Sequence, residues 1–158
     1  MKYLLLSGDK YVIVDDEDFD WASKCKWTYD AMGYAHRKVG GRKNSKKIYL
    51  HRVILHVKEK QKVDHINGNH YDCQKKNLRV ATSLQNQRNM KLRKDSESGY
   101  KGVRFKRDMV RKKPWEAYIR LDKKRKTLGH YTSAVEAASA YNVAAEKFFG
   151  EFARINQI

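Results

Sequence analysis

Residues 62–89, "KVDHINGNHYDCQKKNLRVATSLQNQRN", decide how this chain is read. The run reads as a strand over 62–66, a loop over 67–76, a strand over 77–81 and a helix from about residue 83. Asn67-Gly68-Asn69 supplies the turn chemistry after the first strand. Thr82 with Gln85 three residues on, or Ser83, is a suitable helix cap. Upstream, "YLHRVILHV" (49–57) places Leu50, Val53, Ile54 and Val57 at helical spacing, which predicts a short amphipathic helix. Neighbours on a strand point to opposite faces. Asp64 and His65 can therefore serve one substrate only where the strand ends or twists, and the loop that follows permits that.

Cutting a phosphodiester requires a base for water, a cation on the scissile phosphate and leaving oxygen, and a way to hold the base. His65 suits the first role, since an unperturbed pKa of ~6.5 leaves imidazole largely neutral at physiological pH. Asp64 offers a hard carboxylate oxygen. Asn86 offers a hard amide oxygen, provided its helix aims it back at the hairpin. One carboxylate and one amide leave positions open for phosphate and water, which suits Mg²⁺ or Mn²⁺ better than zinc. Asn77 would hold the hairpin and orient the histidine by hydrogen bonds. A plainer reading stands beside this one: Asp, His and Asn around a glycine can be turn chemistry, chosen for backbone tolerance alone. These residues by themselves leave both readings open. His65, His70 and Cys73 match no standard zinc spacing and lack a fourth ligand, so zinc is not expected.

The chain has 158 residues, enough for one ordinary domain or two small ones, and a formal charge of +17. That charge is unevenly spread. Residues 1–30 carry four Lys/Arg against seven Asp/Glu, residues 31–94 carry 17 against 3, and residues 95–158 carry 14 against 8. A basic excess concentrated in the middle third fits a polyanionic partner, because neutralising phosphates releases counterions. Two cysteines, Cys25 and Cys73, cannot build a disulfide framework; both are expected to be small buried side chains in a reducing, intracellular setting. "MKYLLLSGDKYV" has an apolar run shorter than the ~7–15 residues of a signal-peptide core. No run reaches the ~18 apolar residues of a membrane span, so the cytoplasm is expected and no membrane partner.

Residues 1–49 read as strands ("KYVIVD", "KWTYD", "GYAHRKV", "KKIYL"), and the acidic run at 15–18 as a solvated loop or helix start. Residues 91–98 are a polar linker. Residues 99–156 read strand, strand, strand, helix: "YKGVRFKR", "WEAYIRL", "RKTLGHY", then a helix capped by Ser133 and Glu136 that runs through Ala134, Ala138, Tyr141, Ala145 and Phe148 to Gly150. Alternation sends Trp115, Ala117, Ile119, Leu121, Val103, Phe105 and Leu128 inward. It sends Glu116, Tyr118, Arg120, Asp122, Arg104, Lys106, Arg125 and Thr127 outward. Arg104, Lys106, Tyr118, Arg120, Arg125 and Thr127 then form a basic face with one aromatic, suited to a major groove.

Residues 50–90 resemble the HNH endonuclease family of ββα-metal nucleases, in the variant with Asn at the last position. The likeness rests on Asp64-His65, Gly68-Asn69, Asn77-Leu78, Ala81-Thr82, Asn86, Asn89 and the upstream His51-Arg52, with Asn77 twelve residues after His65 and Asn86 nine beyond that. The resemblance implies His65 as general base, Asp64 and Asn86 as metal ligands, Asn77 as the positioning amide and Arg52 as a phosphate contact, with His51 packing or capping. Residues 1–49 are similar, more faintly, to the leader sheet of phage-type members.

Residues 99–156 resemble the ethylene-response-factor (AP2/ERF-like) DNA-binding domain through "GYKGVRF", "AYIRL" and "LGHYTSAVEAASAYNVAAEKFFGEFARIN". That family lays a three-stranded sheet in the major groove. This chain lacks the family's Trp after Gly-Val-Arg, its Glu at Tyr118 and its Trp at Thr127, so a plant target sequence does not carry over.

The expected fold is α+β: N-terminal antiparallel strands (1–49) leading into a ββα-metal HNH domain (50–90), then a linker and a three-stranded antiparallel sheet packed on one helix. The expected function is a metal-dependent DNA endonuclease, a phage or intron homing enzyme in a bacterial host cell, acting on double-stranded DNA and leaving 3′-hydroxyl and 5′-phosphate ends. The rival is a sequence-specific DNA-binding regulator with an inactive hairpin. An RNA-binding role is disfavoured because the aromatics read as core. Target sequence, strand count and oligomeric state are not legible.

Overall fold

The computed structural model describes residues 1–93, 95–107, 112–122 and 124–158. It is a mixed α and β protein whose strand pairs are antiparallel, divided into two compact units, Met1–Gln87 and Arg88–Ile158. Among the described residues no helix is long and apolar enough to cross a membrane.

In the first unit, β1 (Lys2–Leu6) pairs with β2 (Lys10–Val14), with Lys2 opposite Val14 and Leu6 opposite Lys10. Alternation buries Leu4, Leu6, Val12 and Val14 and leaves Tyr3, Leu5 and Tyr11 exposed. β1 was not among the expected strands; "KYLLL" lacks β-branched residues, but every second side chain reaches the core. The acidic run opens α1 (Asp16–Ala22), its anionic side chains at the end where backbone N–H groups are unpaired. Of the expected strand "KWTYD" only β3 (Thr28–Tyr29) is extended. Trp27 instead fills the core, its Nε1–H donating to the Ala22 carbonyl at 2.9 Å.

β4 (Ala35–Val39) joins β3 to β5 (Lys46–Tyr49), and α2 (Leu50–Ile54) follows directly. β6 (Lys62–His65) pairs with β7 (Leu78–Ala81), and α3 (Ser83–Arg88) follows β7. Thr82 and Gln85 form a reciprocal cap: Thr82 N–H donates to Gln85 Oε1 at 2.8 Å, and Gln85 N–H to Thr82 Oγ1 at 3.2 Å. Leu4, Leu6, Val12, Val14, Trp27, Leu50, Ile54, Val63, Cys73 and Leu78 belong to one core. Fully burying one such aliphatic side chain contributes about 1.5–3 kcal/mol. The opening strands and the β6–β7 hairpin therefore stabilise each other.

The second unit is a sheet in the order β10 (Lys124–Tyr131), β9 (Trp115–Leu121), β8 (Val103–Phe105), packed on α4 (Ala134–Phe149). Val103, Ala117 and Ile119 are buried against it, as alternation predicts. Phe105 is not: it is 38% exposed, its ring edge-on to Trp115 with centroids 4.9 Å apart. The buried helix face is Ala137, Ala138, Tyr141, Ala144, Ala145 and Phe149, so Phe149 and not Phe148 closes the stripe. Gly102, at φ +75, is fixed by close approach: a Cβ there would lie 2.0 Å from the Tyr141 ring.

Candidate functional site

The loop between β6 and β7 is fastened from three sides. From β2, Ile13 N–H donates to the Tyr71 carbonyl and Cys73 N–H donates to the Ile13 carbonyl, both at 2.8 Å. From the start of α1, Asp15 accepts the Lys75 N–H at 2.7 Å, and Lys75 Nζ pairs with Glu17. From within, Asn67 Oδ1 accepts the Asn69 N–H at 2.8 Å and Asn67 Nδ2 donates to Asp72 Oδ2 at 2.8 Å, with Gly68 at φ +67 between them. The acidic run thus anchors the loop's foot.

Asn77 ties the two ends of this loop. Its Oδ1 accepts the Asn67 N–H at 2.9 Å, its Nδ2 donates to the Asp72 carbonyl at 2.8 Å, and its own carbonyl accepts the Ile66 N–H at 2.8 Å. Asn77 is 6% exposed, so all three bonds lie largely out of water, where an unmade one is costly. The last of them holds Ile66, the residue directly after His65, and the first holds Asn67 beyond it.

Register sets Asp64 opposite Arg79. Arg79 Nε and Nη2 both donate to Asp64 Oδ2, at 2.9 and 2.7 Å. The carboxylate is 4% exposed, so the guanidinium is what makes its burial tolerable.

His65, also buried, lies among rings contributed by four parts of the first unit. His51 of α2 and His70 of the loop have centroids 5.2 and 5.3 Å from His65, and Tyr34, just before β4, lies at 5.8 Å. Tyr34 stacks on His70 at 4.0 Å, and Tyr49 of β5 extends the group toward His36. His70 Nδ1 is 2.7 Å from the Met32 carbonyl; since a carbonyl only accepts, Nδ1 carries the proton.

Burial, reinforced by the His70 charge and partly offset by Asp64, brings the His65 pKa down to about 4. Burial, with the charges of His65, Arg52 and His70, brings His51 to about 3. Both imidazoles are therefore neutral at pH 7. Burial, followed by the charges of Asp30 and Asp64, raises the Tyr34 pKa, so that hydroxyl keeps its proton. Cys73 Sγ lies 3.9 Å from His65 Nε2, and burial pushes its thiol up to about 12. It is a packing sulfur, whereas Cys25 is only half-buried. Sequence reasoning missed Tyr34, His36, Tyr49 and His70 as members of this group. The available signal was that five of the chain's six histidines fall within residues 36–70.

Asn86 is half-buried on α3, where its N–H donates to the Thr82 carbonyl at 3.0 Å. Arg52 spends its guanidinium on the chain itself: Nη1 donates to the Gln61 carbonyl at 2.6 Å, Nη2 to the carbonyls of Lys58 and Glu59. Among the described residues no three of His, Cys, Asp or Glu gather as a metal-holding group.

In the second unit the outward sheet face holds Arg104, Lys106, Tyr118, Arg120, Arg125 and Thr127 around Glu116. Glu116 was expected to be exposed but is 3% exposed, because long basic side chains fold over it. Arg125 also stacks its guanidinium 3.9 Å from the Tyr118 ring centre. Arg120 is exposed.

Fold and site define a mixed α and β protein with a buried histidine–carboxylate hairpin in its first unit. The chain is 32% identical to an uncharacterized HNH endonuclease of Acanthamoeba polyphaga mimivirus over 162 aligned residues, covering 99% of this chain and 75% of that relative. It belongs to the HNH endonuclease family. No family model matches it, and no solved structure does.

Proposed function

We propose that the chain is a metal-dependent DNA endonuclease in which His65 takes a proton from water as that water attacks phosphorus. The observation that carries this reading is a buried His65, neutral at pH 7, beside Asp64 and after a loop laced by Asn77, in a chain of the HNH endonuclease family. Neutrality gives the imidazole a lone pair for the proton. The bond that forms is from water oxygen to phosphorus; the bond that breaks is from phosphorus to the 3′ oxygen. The products are a 3′-hydroxyl and a 5′-phosphate.

Asp64 and Asn86 would hold a divalent cation. The donor set is hard oxygen, and the nearby thiol of Cys73 stays protonated, which fits Mg²⁺ or Mn²⁺ and not zinc. A carboxylate offers about four lone-pair positions, so an arginine and a cation can share one. Bound there, the cation would supply positive charge to the scissile phosphate and the leaving oxygen.

The second unit is proposed as the AP2/ERF-like reader, with Arg104, Lys106, Tyr118, Arg120, Arg125 and Thr127 toward duplex DNA. The site-specific activity of a phage or intron homing enzyme would follow from joining reader and nuclease. One observation favours a second reading, a regulator that binds without cutting: Asp64 Oδ2 already serves Arg79.

A genomic-fragment library incubated with the full chain in Mg²⁺, Mn²⁺ or a chelator separates the two. The nuclease yields new ends that ligate directly, and only with a cation present. A library that is retained but never cut in either cation would leave the regulator.

A further inference from the structure

Glu116 is an acidic side chain at the centre of a basic face. Arg104 stands directly opposite it across β8 and β9, and Nε donates to Glu116 Oε2 at 2.8 Å. Lys106 Nζ lies 3.6 Å from the same oxygen. On the other side, Arg125 Nη2 lies 3.0 Å from Oε1, and the Thr127 hydroxyl donates to Oε1 at 2.8 Å. One carboxylate thus gathers three cations and a hydroxyl from both sides of β9. Its side chain is 4% exposed, while those of Arg104, Lys106 and Arg125 are 42, 24 and 30% exposed.

A guanidinium carries five N–H groups in a rigid fork. Glu116 takes the Nε–H of Arg104 and forms an ion pair with Nη2 of Arg125, so further N–H groups of each fork remain for a ligand. A fork anchored behind and stacked on Tyr118, as Arg125 is, has already lost the rotamer freedom that binding would otherwise cost. A single negative charge under three positive ones also lowers what the face offers to a phosphate backbone, the sequence-independent part of DNA binding. It leaves the directional donors that distinguish base edges. Burial raises the Glu116 pKa, but hydrogen bonds from Thr127 and Arg104 and the Arg125 charge overcome this and hold it at about 2. The carboxylate is ionised at any working pH.

We propose that Glu116 is the positioning residue of this face: it fixes Arg104 and Arg125 for base readout and restrains their attraction to phosphate, so the face selects among duplex sequences. This rests on the reading of the second unit as a DNA reader.

The test uses the full chain in a chelator with two duplexes, one selected by the intact chain from a randomised library and one scrambled. Glu116→Gln keeps the shape and removes the charge. It is expected to bind the scrambled duplex more tightly, with a salt dependence steeper by about one phosphate contact, and to lose about tenfold in preference for the selected duplex. In an Arg104→Gln/Arg125→Gln background the same change should have no effect on that preference. If Glu116→Gln does not fold, Glu116→Asp keeps the charge but retracts it. It should lose preference while keeping the salt slope. If the intact chain selects no sequence, or the arginine variant keeps full preference, the reader itself is wrong. If selection depends on both arginines yet Glu116→Gln or Glu116→Asp preserves the preference, only the role of Glu116 falls.

Discussion

Two buried, neutral histidines should make the first unit sensitive to mild acid. An unfolded histidine titrates near ~6.5, whereas His65 and His51 are held at about 4 and about 3. Between those values the unfolded chain binds two more protons than the native one, so stability rises with pH by up to about 2.7 kcal/mol per unit. A depressed folded pKa sets the sign: the contribution is whole above pH 6.5, shrinks as pH falls, and stops shrinking near 4 for His65 and near 3 for His51. Integrated from pH 7.0 to 5.5, each histidine loses about 1.2 kcal/mol, or about 2.5 together.

Urea unfolding followed by tryptophan fluorescence reads this, with Trp115→Phe leaving Trp21 and Trp27 to report on the first unit. At a urea dependence of about 1–3 kcal/mol per molar, the midpoint should fall by about 1 M. Glu116, held at about 2, stays charged across the window and does not contribute. The variant His51→Gln/His65→Gln should be nearly flat between the two pH values. Equal stability of the intact chain at pH 7.0 and 5.5, or a loss that survives in that variant, would refute the reasoning.

Three further outcomes follow from the geometry. Arg79→Ala removes the guanidinium from a 4% exposed carboxylate and should cost about 3–5 kcal/mol in the same titration; a cost below 1 kcal/mol would mean that Asp64 does not depend on it. Asn77→Ala removes two side-chain bonds that close the loop. It should cost about 1–3 kcal/mol and slow cleavage while leaving duplex retention by the second unit unchanged, as a retention assay can show. Gly102→Ala puts a Cβ 2.0 Å from the Tyr141 ring at φ +75 and should destabilise the second unit by more than about 2 kcal/mol; an unchanged thermal melt would contradict that.

What the sequence disclosed follows from what periodicity and spacing encode. The β6–β7 hairpin, the Thr82–Gln85 cap, the Ser133 cap and the inward positions Ala117 and Ile119 are local patterns, each readable within a few residues. The ring group around His65 was not readable. Tyr34, Tyr49, His51 and His70 come from separate elements, and no local period says that polar rings will converge. Glu116 was assigned to the correct face but the wrong environment: alternation gives direction, whereas its burial depends on how the long side chains of Arg104, Lys106 and Arg125 lie. Phe148 was preferred to Phe149 because adjacent helical positions differ by only 100°, and the border of the stripe is set by the facing sheet.

The central claim is that His65 is the base. Its most direct test is a supercoiled plasmid carrying a sequence that the chain retains, incubated in Mg²⁺ with the intact chain or with His65→Ala. The account predicts nicked or linear product from the intact chain and a rate lower by about 10²–10⁴ for His65→Ala, with both proteins folded and retaining the plasmid equally. Cleavage by His65→Ala at the intact rate would contradict it.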